Sequence, residues 1–216
     1  MKLGPQVAVA GGSRLFNKRV KAPAKYLKMR RERIQSMIDP YIAGVFFGDG
    51  TTYKRKDGTY CVWIDQVERN KHVLELGVMP RIRKMGLKAH LYQYYVKRDH
   101  TTKWRVLVYS KDFYTAIRNI FAGITAYFSK LSDEEAVEFI AGLFDAEGTK
   151  TDRIVIYNQN LKLLNLIRER LEKLGIQNVY VYKFASVYGL QIYRKKFVKK
   201  FLEKVPSIRL KARLPG

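Results

Sequence analysis

With 42 lysines and arginines against 19 aspartates and glutamates in 216 residues, the chain carries a formal net charge of +23 and a pI near 10.1. Such a charge calls for a polyanionic partner, and a nucleic acid rather than a membrane, because the longest apolar runs are about half the roughly 20 residues a spanning helix needs. The lone cysteine, Cys61, excludes an internal disulfide, and with three scattered histidines (His72, His90, His100) it also excludes a Cys/His zinc site, so any metal is a hard cation on oxygen ligands.

Residues 1–36 form a basic arm, with Lys2, Arg14, Lys18, Arg19, Lys21, Lys25, Lys28, Arg30, Arg31 and Arg33 against Glu32 alone. Its spacing permits a short basic helix from Tyr26 to Met37, either a solvated tail or an arm along a phosphate backbone. No apolar segment after Met1 reads as a secretory signal, so the expected setting is cytoplasmic. Asp39 as N-cap and Pro40 at the first helical position then start an apolar helix, YIAGVFFGDG, which Asp49-Gly50 ends. Strands follow at Thr51–Arg55 and Thr59–Val67 around a Lys56-Asp57-Gly58 turn. Next comes a helix over Asn70–Met85, interrupted near Gly77 and Pro80, and a hairpin of His90–Lys97 and Lys103–Tyr109 turning at Asp99-His100. A helix over Asp112–Phe128 closes the unit.

The order then recurs in shorter form. Ser132 with Glu135 is a capping box opening a second apolar helix, which ends in FIAGLFDAEG. A strand over Arg153–Asn158, a helix over Leu161–Leu174 stopped by Gly175, a hairpin of Val179–Phe184 and Val187–Tyr193, and a helix over Lys195–Val205 follow. A basic tail with Arg209, Lys211 and Arg213 ends the chain. The chain is thus an internal duplication of helix, hairpin, helix, hairpin, helix, with a basic arm at 1–36, a first repeat at 37–130 and a second at 131–216.

The two apolar helices share a device. Gly44 and Gly48 in the first, Gly142 and Ala146 in the second, lie four apart and so on one helical face, where small residues let two backbones approach closely. Packed side by side, the helices bring Asp49 and Glu147 together at their negative ends, a repulsion that a divalent cation resolves. Asp145 reads as a helix-end or interface residue rather than a third ligand, and Cys61 as a small packing residue.

YIAGVFFGDG and FIAGLFDAEG, about a hundred residues apart and each followed by matching strands, resemble the paired motifs of the LAGLIDADG homing endonucleases, in particular the two-copy archaeal intron-encoded members. The resemblance covers residues 40–205. It implies an α+β fold of two pseudo-symmetric αββαββα repeats, whose two antiparallel sheets form a saddle over duplex DNA and meet at the two motif helices. It also implies a monomeric, site-specific double-strand endonuclease, dependent on Mg²⁺, leaving short 3′ overhangs and acting in intron homing. Mn²⁺ is expected to substitute, and Ca²⁺ to bind without cleavage. Asp49 and Glu147 match the acids that bind metal and scissile phosphate, and the carbonyls of Gly48 and Ala146 match its backbone ligands. Gln66 and Asn158 resemble the polar strand-end residues of the catalytic centre, and Lys150 the basic residue that orders water or stabilises phosphate charge. The first repeat departs from the pattern: it has no lysine matching Lys150, Lys54 being nearest, which implies unequal cutting at the two half-sites.

Strand parity assigns the faces. With Val62, Ile64 and Gln66 toward the core, Cys61, Trp63 and Asp65 face outward; likewise Lys103, Arg105 and Leu107, and Arg153, Val155 and Tyr157. Lys54, Arg55, Gln93, Tyr95, Lys97, Gln191 and Tyr193 join them as candidate phosphate contacts and base-edge readers. Strands of about ten residues span about 33 Å, and two such sheets cover on the order of 20 base pairs. Two readings without cleavage stand beside this one: an intron maturase binding RNA or a DNA-binding regulator on the same fold, and a generic basic RNA-binding protein.

Overall fold

The computed structural model describes residues 38–211. The basic arm, its helix over residues 26–37 and Arg213 lie outside them. The first repeat runs α1 (Pro40–Asp49), β1 (Gly50–Lys54), β2 (Tyr60–Val67), a 3₁₀ turn at Glu68–Asn70, a π-helical stretch at Val73–Val78 continuing into α2 (Met79–Lys84), β3 (Ala89–Val96), β4 (Thr101–Tyr109), α3 (Lys111–Ala122) and α4 (Ile124–Ser129). The second runs α5 (Asp133–Glu147), β5 (Gly148–Lys150), β6 (Ile154–Asn158), α6 (Leu161–Lys173), β7 (Val179–Phe184), β8 (Val187–Ile192), α7 (Lys195–Lys204) and α8 (Ile208–Lys211). Each repeat builds one four-stranded antiparallel sheet, in the orders β1-β2-β4-β3 and β5-β6-β8-β7. The expected α+β architecture of two matching sheets is the one observed.

Local chemistry sets the element ends. The Asp39 carboxylate accepts from the Ile42 amide at 3.2 Å with Pro40 at the first turn, and Ser132 and Glu135 form the reciprocal capping box. Gly58 and Gly175 take left-handed φ of 87° and 79° at the first hairpin turn and just beyond α6. Three differences from expectation have local causes. The helix expected over 112–128 is two, because Gly123 leaves helical geometry and serves both as C-cap of α3 and as N-cap of α4. A short strand, β5, follows directly from α5 and pairs with β6. The basic tail is not all tail: residues 208–211 form α8, which packs against α5 and the π-helical stretch.

At the centre α1 and α5 lie against each other, and Tyr41 to Phe46 are buried on every side of α1. A Cβ on Gly44 would fall on the Phe139 carbonyl oxygen, and one on Gly142 on that of Tyr41. Both obstacles are backbone, so even alanine does not fit where the two helices cross. The core is continuous across both repeats, from Val62, Ile64 and Val106 under one sheet to Ile154, Ile156 and Leu190 under the other. The sheets differ in size. The paired strands β3 and β4 have 8 and 9 residues, β7 and β8 only 6 each, so the second sheet is narrower than ten-residue strands would make it.

Candidate functional site

Close packing of α1 on α5 brings their C-terminal ends together. A Cβ on Gly48 would lie 2.5 Å from Ala146 Cβ and 3.0 Å from Glu147 Cγ. Asp49 and Glu147 therefore end neighbouring helices, both half-buried, with two negative dipole ends behind them. Burial pushes the Asp49 carboxyl up to about 6, against the pull of the Gln66 amide and of Arg209. Burial and the charge of Asp49 push Glu147 up to about 7. Neither acid forms an ion pair within 4 Å among the described residues.

Two polar side chains occupy matching places in the two sheets. Gly50 stands opposite Ile64 in the first sheet and Gly148 opposite Ile156 in the second, so Gln66 and Asn158 occupy the same register position. Their bonds differ. Gln66 Nε2 donates to Asp49 Oδ2 at 2.5 Å, and Gln66 Oε1 accepts from Asn70 Nδ2 at 3.0 Å. Asn70, in the 3₁₀ turn after β2, thereby fixes which end of the Gln66 amide faces the acid. It is buried, and its Oδ1 has no partner among the described residues. Asn70 escaped the sequence reading; its only signal is a spacing of four from Gln66, which needs the turn to become a contact. Asn158 Oδ1 accepts from the Asn160 amide at 2.9 Å, so its carboxamide helps shape the turn into α6. Its place is nonetheless beside Glu147: the two share the lining of a cleft of about 810 Å³ with Gly48, Tyr157 and Lys162. Lys150 lies in the edge strand β5, opposite Ile154 and so on the helix-facing side of the sheet, half-buried.

Asp145 is wholly buried and accepts from Tyr41 Oη at 2.8 Å, from Ser207 Oγ, and from the amides of Ile208 and Arg209 at 2.9 and 3.1 Å. It is an interface residue, as expected, and it also binds the C-terminal segment. Gly77 leaves the room for Tyr41, whose hydroxyl a Cβ there would strike.

The outward faces follow parity with corrections. Trp63, Asp65, Lys103 and Arg105 share the outward side of the first sheet, with Arg55 just beyond β1; Arg153, Tyr157, Gln191 and Tyr193 share that of the second. Asp65 holds Arg105 through two bonds of 2.6 and 2.7 Å, and the guanidinium lies 4.7 Å from both the Trp63 and the Tyr94 ring centres, so these residues form one preassembled group. Cys61, Leu107 and Val155 have outward parity but are buried, closed over by cross-strand neighbours such as Tyr53 and Tyr109 around Cys61. Gln93 and Tyr95 stand opposite Trp104 and Thr102, so they have the parity of the helix-facing side rather than the outward one, though both side chains are exposed. The outward residues of β3 are His90, Tyr92, Tyr94 and Val96. Lys54 is corrected for the same reason, since it pairs with Tyr60 on the helix-facing side and its Nζ lies 5.4 Å from that ring. Lys97 lies exposed in the β3–β4 turn rather than on a strand face.

A profile of the LAGLIDADG-like domain matches residues 134–206. The homing endonuclease I-DmoI of Desulfurococcus mucosus is 32% identical over 151 residues, which cover 66% of this chain and 73% of that protein. The chain belongs to the LAGLIDADG homing endonuclease family. An uncharacterised protein of Methanocaldococcus jannaschii is 29% identical over 184 residues, and this chain spans 65% of its length. The solved structure of I-DmoI in complex with DNA and Mn superposes with a TM-score of 0.61 at 25% identity, over 80% of this chain and 97% of that one. Full-length WhiA of Thermatoga maritima, 13% identical, shares the fold alone, with a TM-score of 0.57 over 88% of this chain and 67% of that one.

No cluster of three or more His, Cys, Asp or Glu side chains suited to a metal exists among the described residues. Two half-buried carboxylates, raised by burial and outside any ion pair within 4 Å among the described residues, fit a hard dication that takes its remaining ligands from carbonyls, water and substrate phosphate.

Proposed function

We propose that this chain is a site-specific double-strand DNA endonuclease that hydrolyses both strands in a Mg²⁺-dependent reaction, leaves short 3′ overhangs, and acts as a monomer in intron homing. The observation that carries the reading is the pairing of Asp49 with Glu147 at twin helix ends, neither in an ion pair within 4 Å among the described residues, beneath two sheets whose outward faces bear Arg, Lys, Tyr and Trp. Asp49, Glu147 and the carbonyls of Gly48 and Ala146 would hold the metal. A Mg²⁺ ion held there would supply Lewis acidity for the attacking water and the leaving oxygen. Gln66, oriented by Asn70, fixes the Asp49 carboxylate, and Lys150 adds positive charge toward the phosphate. Water adds to phosphorus, the bond from phosphorus to the 3′ oxygen breaks, and that oxygen takes a proton, giving a 5′ phosphate and a 3′ hydroxyl. Each repeat, 37–130 and 131–216, serves one strand.

Arg55, Trp63, Asp65, Lys103 and Arg105 on one sheet and Arg153, Tyr157, Gln191 and Tyr193 on the other contact the duplex, joined by Tyr92 and Tyr94. Strands of 9 and 6 residues reach about 30 and 20 Å, so the first sheet covers more of a site of about 20 base pairs than the second. Mn²⁺ replaces Mg²⁺ in cleavage, and Ca²⁺ supports binding without it. The setting is cytoplasmic and DNA-associated, in an archaeon; no helix of the described residues is long and apolar enough to cross a membrane.

The test is selection from a random duplex library in Mg²⁺ and in EDTA. A single family of cut sequences in Mg²⁺ and none in EDTA is the expected result. Tight binding to structured intron RNA with no cut duplex would favour a maturase instead.

A further inference from the structure

The outward faces of the two sheets differ in chemistry. The middle strands of the first, β2 and β4, carry Lys103 and the Asp65–Arg105 pair. The middle strands of the second, β6 and β8, turn Val155, Tyr157, Gly189 and Gln191 outward, and none of these is charged. Its edge strand β7 adds Tyr180, Tyr182 and Phe184, opposite Gln191, Gly189 and Val187.

The rings of the second face form one surface. Tyr182 lies over Gly189, where a Cβ would come within 2.7 Å of its ring, and Tyr157 stands on the other side of the same glycine. Tyr157 packs on Phe184 with ring centres 5.7 Å apart, and Tyr180 on Tyr193 at 5.1 Å. Tyr180 and Phe184 are 49% and 56% exposed, large rings left toward water beside one another on one strand face. Positive charge stands at the rim: Arg153, held by Asp152 at 3.1 Å, and Arg194, 5.9 Å from the Tyr193 ring. The surface continues into the cleft beside Glu147, since Tyr157 and Val187 belong to both. In the major groove thymine is the base that presents a methyl group, a glutamine carboxamide matches adenine N6 and N7, and guanine is matched by Arg or Lys. Rings around Gln191, with cations at the rim, therefore suit A·T pairs.

We propose that the outward face of the second sheet selects thymine: Tyr157, Tyr180, Tyr182 and Phe184 close on C5-methyl groups in the major groove of the half-site beside Glu147, with Gln191 set for adenine. The other half-site, under the Asp65–Arg105 group, is read through charge and hydrogen bonds. The inference rests on the chain binding a specific duplex, the reading given above.

The test is affinity for a duplex selected from a random library by binding in Ca²⁺, with deoxyuridine replacing thymidine in one half at a time. Deoxyuridine keeps the base pair and removes the methyl. One half should be rich in A·T pairs and lose affinity about fourfold for each contacted methyl, about tenfold in all. The other half should change by less than about twofold. Phe184→Ala and Tyr180→Ala, at exposed positions clear of the core, should each abolish the loss at one thymine and leave the others, which also assigns that half to the second sheet. Equal penalties in the two halves, penalties unchanged in both variants, or a selected site without thymine would overturn the inference while leaving specific duplex binding intact. Tighter binding of single strands than of the duplex, lost in the same variants, would make the face a base-stacking platform and overturn it as well. A library that yields no preferred duplex overturns the DNA reading and the inference with it.

Discussion

The two half-sites share positions but not bonds. Gln66 and Asn158 stand at one register position in their sheets, yet Gln66 grips Asp49 and is itself held by Asn70, while Asn158 turns back to the Asn160 amide and leaves Glu147 without a hydrogen-bond partner among the described residues. The acids differ accordingly: Asp49 is pulled down by Gln66 and Arg209 and rises to about 6, and Glu147, with burial and a like charge against it, rises to about 7. Two residues before the acid, one repeat packs a half-buried Phe47 against Phe121 and the other buries Asp145 to fasten the chain's C-terminal segment. Duplication thus preserves backbone placement, which register enforces, while side-chain bonding diverges wherever a single substitution suffices.

What the half-sites have in common is broken by the largest perturbation. Gly44→Leu or Gly142→Leu drives a side chain into backbone carbonyls at the helix crossing, so melting should fall by about 3 kcal/mol or more and cleavage of both strands should go with it. A folded Gly142→Leu protein with full activity would separate the acid pair from the helix packing. Next in size, Gln66→Ala should slow cleavage by about a hundredfold and Asn70→Ala by about tenfold, whereas Asn158→Ala should cost less than about threefold. Equal losses in Gln66→Ala and Asn158→Ala would show the two positions to be equivalent in chemistry as well as in register.

The acids themselves predict the pH dependence. Both folded-state values lie above the ordinary 3.8 and 4.5, so between about pH 4 and 7 the native chain binds more protons than the unfolded one, and stability falls as pH rises through that window. In EDTA at pH 8, Asp49→Asn with Glu147→Gln should therefore melt higher than the parent, by about 1 kcal/mol after allowance for partial exposure, and the gain should vanish at pH 4. Mg²⁺ should raise the melting temperature of the parent and leave the double variant unchanged. The smallest effect expected is on the outward face: Gln93→Ala and Lys54→Ala, whose parity is that of the opposite side, should change DNA affinity less than Tyr92→Ala or than Arg105→Ala, whose partners are preassembled.

Much of this was legible in the chain because its signals are local. Asp39-Pro40, the Ser132–Glu135 box, the Asp57-Gly58 turn and the glycines four apart each state their geometry within a few residues. The face of β3 was not, because polar and aromatic residues occupy both of its parities: Gln93 and Tyr95 on one, Tyr92 and Tyr94 on the other. Only pairing with β4 decides between them. Gly123 lies inside the helix expected over 112–128, and only its backbone geometry shows that the helix breaks there. The Asn70 contact needs a 3₁₀ turn, and the clamp on residues 207–209 joins Asp145 to partners 104 residues before it and about 60 after, beyond the reach of any spacing rule.

The central claim is that one pair of acids at the motif helix ends cuts both strands. Asp49→Asn and Glu147→Gln, each assayed on the selected duplex with Mg²⁺ and checked for folding by melting and for DNA binding in Ca²⁺, test it most directly. Each variant should remain folded and bind the duplex within about threefold of the parent, yet lose double-strand cleavage, which needs both half-sites, by about a thousandfold or more. Cleavage at the parental rate in either folded variant would contradict it.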